Sequence, residues 1–141
     1  MSEQSTTTRN YSPARRMARA ALQLYRISLG VAGLACLALA LAHLSGAPLA
    51  LPFDSYTWYA IAFIGCLMIG IALVVGNALA GASERRYLRS AAVTLFLFVA
   101  MRIAFLVGDA TLRNIAAPLL LGEILLFSGT ALIFMFVRSR L

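Results

Sequence analysis

The stretch YTWYAIAFIGCLMIGIALVVGNALA, residues 56–80, contains no charged side chain and only one amide side chain, that of Asn77. A helix needs roughly 20 apolar residues to cross the hydrocarbon core of a bilayer, within a range of about 17 to 25. Three more apolar stretches occupy residues 27–44, 91–107 and 115–137. Because lipid offers the backbone no hydrogen bonds, each stretch is expected to be an α-helix. The sequence therefore predicts an all-α protein, an antiparallel bundle of four transmembrane helices.

The composition agrees with this interpretation. Apolar residues make up 62% of the chain and charged residues 12%, whereas a soluble domain is about half apolar and a quarter charged. We expect one membrane domain at residues 13–141, after a disordered tail at residues 1–12 that is rich in Ser, Thr and Gln. The first apolar stretch exceeds the roughly 7 to 15 residues of a signal-peptide core, so we expect it to be retained.

The net charge of +7 comes entirely from arginine, because the chain has no lysine. Most arginines flank the predicted spans on one side, which is typical of membrane topology rather than of nucleic-acid binding. The residues expected to anchor the protein at lipid headgroups are Arg15, Arg16, Arg19, Arg26, Arg85, Arg86, Arg89, Trp58 and Tyr59. The pattern predicts a multi-pass protein of the bacterial cytoplasmic (inner) membrane, with both termini cytoplasmic and anionic headgroups as partners.

Small residues recur along the second span and predict close helix packing. They are Gly65, Gly70, Ala72, Gly76 and Ala80. The spacing leaves open whether the neighbouring helix belongs to this chain or to a second protomer. Near the cytoplasmic end of the second span, Asn77 is expected to hydrogen-bond Thr94, which lies at similar depth in the third span.

Two ionisable residues lie at membrane depth, where a charge is costly and needs a partner. Arg102 is expected about 9 Å, and Glu123 about 13 Å, below the same membrane boundary, from the rise of 1.5 Å per residue. We therefore predict that they form an ion pair, and that His43 and Asp109 border the same polar pocket. Two roles stay open for the pair: fixing the register of two helices, or serving a ligand, proton or substrate.

No catalytic signature is present in the sequence. His43 is the only histidine, and Cys36 and Cys66 lie in separate spans without a C-x-x-C motif, so no metal site or redox pair is predicted. There is also no G-x-S-x-G motif and no Gly-rich phosphate loop. We expect no cofactor, and the sequence favours a protein that is not an enzyme.

Four features occur in a fixed order in the second half of the chain. They are Gly65, Gly70 and Gly76 in the second span, then the turn Ser83-Glu84-Arg85-Arg86-Tyr87-Leu88-Arg89, then Arg102 before Gly108-Asp109, and last Pro118-Leu119-Leu120 before Glu123. In this order, over roughly residues 54–137, the chain resembles an uncharacterised DoxX-like family of small bacterial four-helix membrane proteins.

The resemblance implies a four-helix bundle and brings no established activity, cofactor or substrate. The family often carries an arginine at the start of the second span. This chain has Tyr56-Thr57-Trp58-Tyr59 there, so a function of that arginine is not expected here.

These observations favour an accessory or structural subunit of a membrane complex, with a membrane-protein partner or a homo-oligomer. One alternative is a small oligomeric transporter or channel. Small multidrug exporters, however, carry an essential carboxylate in their first span, and this chain has none there. The other alternative is a lipid- or quinone-binding protein that uses an Arg/Glu pocket in the outer half of the membrane.

Overall fold

A computed structural model describes residues 12–141, which form four α-helices. These are α1 (Pro13–Leu44), α2 (Ser55–Leu79), α3 (Glu84–Gly108) and α4 (Ala110–Arg140). Each helix is long and apolar enough to cross a membrane. The prediction of an all-helical protein with four apolar helices, as expected of a small multi-pass membrane protein, is confirmed. The predicted disordered tail, residues 1–12, lies outside the described residues except for Ser12.

The helices begin at residues that favour helix starts. Helix α1 begins at Pro13, where the missing N–H of proline costs no hydrogen bond, and continues without a break into the first span. Ser12 precedes it without making a capping bond from its hydroxyl. Helices α2 and α4 are capped by the carboxylates of Asp54 and Asp109, which accept backbone N–H groups of the first turn at 2.8 and 2.9 Å.

The junction between α3 and α4 is shorter than the sequence predicts. A loop was expected between residues 107 and 115, but Asp109 alone separates the two helices and caps the second one. The polar residues Arg113 and Asn114 therefore belong to the first turns of α4, next to the membrane boundary, where they cost little. As a consequence, Glu123 lies 13 residues along α4, or about 20 Å along its axis.

Helices α1 and α2 approach closely at two glycines. A Cβ atom on Gly33 would lie 2.9 Å from the carbonyl oxygen of Gly65, and a Cβ on Gly65 would lie 2.9 Å from the carbonyl oxygen of Gly33. Side chains are excluded at both positions, which allows the two backbones to touch. Gly33 was not among the residues that the sequence indicated.

The other small residues of α2 have different neighbours. Gly70 faces Thr94 of α3, and Gly76 lies beneath the guanidinium of Arg26 rather than beneath a helix backbone. Ala72 is buried, but Ala80 is exposed and lies one residue beyond the end of α2. Ala80 is therefore not buried against the described helices, and its packing against a helix of a second protomer stays a prediction.

The four helices form an open row and not a closed ring. Within the described residues, α1 packs on α2, α2 on α3 and α3 on α4, whereas α1 and α4 do not contact each other. The core lies between these neighbours and includes Trp58, Cys66, Phe105, Leu112 and Leu120. Helix α4 therefore has one long face without a protein neighbour.

The two sides of the protein at which the helices begin and end differ in charge. His43, Asp54 and Asp109 lie at what we call the aspartate end. Arg85 and Arg138 face each other at the opposite, arginine end.

Candidate functional site

Three residues of α3 and the residue after its end form a buried column. Phe98, Arg102 and Phe105 follow one another at intervals of four and three residues, which places them on one face of the helix, and Asp109 comes directly after the helix ends. All four are buried. A guanidinium and a carboxylate therefore lie in the interior, and each needs a partner there.

Arg102 finds its partner in α4. Its Nε donates to Oε2 of Glu123 at 2.8 Å, and the side chain of Arg102 is 1% exposed whereas that of Glu123 is 26% exposed. Side chains in a helix tilt toward its N-terminus. Helix α3 ends, and α4 begins, at Asp109, so the two side chains tilt toward each other. This geometry closes the gap in depth that the longer α4 creates.

Aromatic rings surround the guanidinium of Arg102. Its Cζ atom lies 4.9 Å from the ring centre of Tyr59, 5.1 Å from those of Phe63 and Phe98, and 5.3 Å from that of Phe127. These rings come from α2, α3 and α4. A cation over an aromatic face gains up to about 2 kcal/mol when both are desolvated. The rings therefore replace part of the hydration that Arg102 loses.

Tyr59 adds a second donor to the same carboxylate. Its hydroxyl donates to Oε2 of Glu123, so one oxygen accepts hydrogen bonds from both Tyr59 and Arg102. Among the described residues, Nη2 of Arg102 is buried and has no hydrogen-bond partner. The sequence predicted Tyr59 only as a headgroup anchor, whereas the structure turns its hydroxyl toward the interior.

A second pair lies at the aspartate end. Nε2 of His43 is 3.7 Å from Oδ2 of Asp109, and the imidazole stacks on Trp58 with ring centres 4.9 Å apart. Burial raises the pKa of Asp109, but the hydrogen bond from Leu112, together with Ser55 and His43, outweighs it and lowers the pKa below its usual value.

The two pairs do not share one pocket, contrary to the prediction. A surface pocket at the aspartate end is lined by His43 and Asp109 but not by Arg102 or Glu123. Two helical turns, about 10 Å, separate Arg102 from Asp109 along α3. Phe105, which is 0% exposed, fills the level between them. The site is therefore two stacked polar pairs with an aromatic layer between.

The predicted anchoring residues divide into two groups. Trp58 is 1% exposed, so its ring faces protein and not lipid, because the stacked His43 and the edge of Phe53 cover it. Arg26 is half-buried over Gly76. The remaining arginines are exposed, namely Arg15, Arg16, Arg19, Arg85, Arg86 and Arg89.

The predicted bond between Asn77 and Thr94 is wrong by one helical turn. Asn77 Nδ2 donates to Oγ of Ser90 at 2.8 Å and to the carbonyl of Arg86 at 3.4 Å. Thr94 donates to the carbonyl of Ser90. Sequence reasoning also missed Phe63 and Phe127 as neighbours of Arg102. Phe127 follows Glu123 by four residues on α4, and that spacing was a usable signal.

Within residues 12–141, no group of three His, Cys, Asp or Glu side chains is placed to hold a metal ion. Cys36 and Cys66 are free thiols. No protein-family model, curated protein or solved structure matches this chain.

Proposed function

We propose that this protein is an accessory, structural subunit of a membrane complex and that its partner packs against the free face of α4. The observation that carries the proposal is the side chain of Glu123, which stays 26% exposed although it bonds Arg102 and Tyr59, on a helix that packs mainly against α3. An exposed carboxylate at membrane depth is costly in lipid. A protein partner would cover it.

The free face of α4 is also suited to close packing. Gly122 adjoins Glu123 in the chain, and Gly129 follows Gly122 by seven residues, on the same face. A Cβ atom on either glycine would meet no heavy atom within 4 Å. Glycines at such positions let the backbone of another helix approach closely, so both the flat surface and the carboxylate favour a helical partner, either a second copy or another membrane protein.

The proposal includes an antiparallel arrangement with both termini in the cytoplasm of a bacterial cell. The register of contacts supports it, since Gly33 meets Gly65 while His43, further along α1, meets Trp58, earlier in α2. The arginine end carries the basic residues that the positive-inside rule assigns to the cytoplasm.

Membership of the DoxX-like family is likewise our proposal. Arg102, Asp109 and Glu123, which carry much of the resemblance, lie along one interface between α3 and α4, where Arg102 bonds Glu123 directly and Asp109 joins the two helices. Residues scattered over unrelated surfaces would give the resemblance no structural meaning.

Purification in mild detergent, followed by mass spectrometry of associated proteins, tests the proposed subunit role. We expect a stoichiometric partner or a homo-oligomer that is lost when Gly122 and Gly129 are both replaced by leucine. Gly30→Leu is the matched control, because Gly30 of α1 also has no heavy atom within 4 Å of a built Cβ. A monomer without partners, or a partner that the double variant retains, would overturn the proposal.

The second candidate is a small oligomeric transporter or channel. It is favoured by the same part-exposed carboxylate together with the buried, unpartnered Nη2 of Arg102, since such groups mark ion or proton pathways. Flux in proteoliposomes that Glu123→Gln abolishes and Glu84→Gln preserves would support it. A lipid or quinone held by Arg102 is less favoured, because Glu123 and four rings already surround that guanidinium.

A further inference from the structure

An apolar groove of about 450 Å³ lies on the surface where α2, α3 and α4 meet, toward the arginine end. Each helix contributes to its walls: Gly70 and Val74 from α2, Ala91 and Thr94 from α3, and Thr130 and Phe134 from α4. It is separate from the two polar pairs, neither of which lines it.

The groove is suited to hydrocarbon and not to a polar ligand. The hydroxyl of Thr94 donates to the carbonyl of Ser90, and that of Thr130 to the carbonyl of Leu126, both at 2.8 Å. These hydroxyls are thus satisfied within their own helices. The groove is open at Gly70 because that residue has no side chain there, and a Cβ atom would lie 2.6 Å from the methyl of Thr94.

A small pocket lined by two arginines lies at the arginine end, between α3 and α4. Arg85 of α3 and Arg138 of α4 line it together with Met135 and Ser139. Within residues 12–141, neither guanidinium forms a hydrogen bond or an ion pair, whereas Arg140 lies over the ring of Phe136. The pocket therefore presents two guanidiniums without a bonded partner, and Glu84 lines an adjoining pocket together with Arg85.

The spacing of groove and pocket matches the interfacial layer of a bilayer. Arg138 follows Phe134 by one turn, about 6 Å, and Arg85 precedes Ala91 by six residues, about 9 Å. The headgroup region is about 5 to 7 Å thick on each side of the hydrocarbon core. One phospholipid in the membrane can therefore reach both features, with its phosphate at the arginines and a chain in the groove.

We propose that the groove and the arginine pair form one binding site for an anionic phospholipid. The phosphate lies between Arg85 and Arg138, and one acyl chain lies between Gly70, Thr94 and Thr130. Basic pockets between transmembrane helices bind anionic headgroups in this manner. The inference rests on membrane insertion but not on the partner proposed for α4.

Native mass spectrometry of protein extracted from vesicles of equal phosphatidylglycerol and phosphatidylcholine content tests the site. We expect retained phosphatidylglycerol, with affinity lowered about fivefold by Arg85→Gln or Arg138→Gln and about 30-fold by both. Arg15→Gln with Arg16→Gln is the matched control, because it removes the same charge from exposed positions of α1. Equal loss in the control would overturn the site in favour of general attraction to anionic lipid.

Two further variants test the groove. Thr130→Leu is expected to displace the chain and lower phosphatidylglycerol retention, whereas Thr130→Val keeps the volume and retains the lipid. Retention unchanged by Thr130→Leu, or displacement of the lipid by inorganic phosphate alone, would overturn an acyl-chain site. Membrane fractionation of every variant separates failure of this inference from failure of membrane insertion, and partner copurification is scored independently.

Discussion

At the scale of single residues, the central fact is a charge held in a medium that disfavours it. The charge of Arg102 is offset by one carboxylate and four aromatic rings, but its Nη2 has no hydrogen-bond partner among the described residues. Such a pair adds little net stability compared with apolar residues of the same size, yet breaking it exposes a lone charge. The contribution of Arg102 and Glu123 to stability is therefore measured by replacing both residues together as well as each one alone.

Removing one partner of the pair is expected to be worse than removing both. Arg102→Met or Glu123→Leu alone should lower the free energy of unfolding by about 3–5 kcal/mol, and the double variant by clearly less than either. Thermal unfolding in detergent, followed by helical circular dichroism, measures this cycle. Additive losses in the double variant would contradict the coupling.

The hydroxyl of Tyr59 is the second donor to Glu123, and its removal tests the network without changing charge. Tyr59→Phe is expected to lower the free energy of unfolding by about 1.5–3 kcal/mol, the usual contribution of a hydrogen bond to a charged group. Tyr56→Phe is the control, because the ring of Tyr56 is exposed and its hydroxyl forms no hydrogen bond within residues 12–141. Equal effects of the two substitutions would argue against the inward orientation of Tyr59.

Asp109 gives the protein a pH dependence at the aspartate end. Because its pKa in the folded state is lowered below the usual value, its charged form stabilises the fold above that usual value, and the contribution is lost as the pH falls through the folded pKa. Asp109→Asn can still cap α4 but does not titrate, so the native protein should be the more stable of the two at neutral pH. Melting temperatures compared between about pH 6 and pH 3 should converge as the pH falls, and a constant difference would contradict the assignment.

At the scale of helices, contact depends on where a side chain is missing. Gly33 and Gly65 bring α1 and α2 together backbone to backbone. Helix α4 has two glycines that meet nothing. Glycine therefore brings α1 and α2 into contact but leaves an open surface on α4. A pair of matched substitutions can measure this difference.

Gly65→Ala places a methyl group 2.9 Å from a backbone oxygen of α1, which is closer than a methyl group can lie, so the helices must separate. Such overpacking is expected to cost about 1–3 kcal/mol. Gly122→Ala should be neutral or slightly stabilising in the isolated chain, because alanine favours a helix more than glycine does. Both are measured by thermal unfolding in detergent, and equal destabilisation would refute the close contact of α1 and α2.

The sequence predicted the number and type of helices because each apolar stretch is long enough to be unambiguous. It also predicted that Arg102 and Glu123 lie close, because a short loop leaves their helices adjacent. It did not predict the burial of Trp58, since an aromatic residue at a helix start fits a headgroup position equally well. The orientation of Tyr59 depends on the rotation of α2, which is set by contacts with α1 and α3 that a single-helix pattern does not contain.

At the scale of the whole molecule, the open row explains why one face of α4 lacks a neighbour while α2 and α3 have neighbours on two sides. The connections between the four helices are short, so they offer little surface for recognition.

The proposed orientation follows from the arginine end and is directly testable. Cys36 and Cys66 are replaced by alanine, and one cysteine is introduced at a time, at Ser45 of the aspartate end or at Ser139 of the arginine end. A membrane-impermeant thiol reagent applied to intact spheroplasts should label the cysteine at position 45 and label the one at position 139 only after lysis, because the proposed orientation keeps the arginine end in the cytoplasm. Labelling of position 139 alone in intact spheroplasts would invert the topology. Labelling of both positions would show that the two ends lie on the same side, and the four-span arrangement itself would then be wrong.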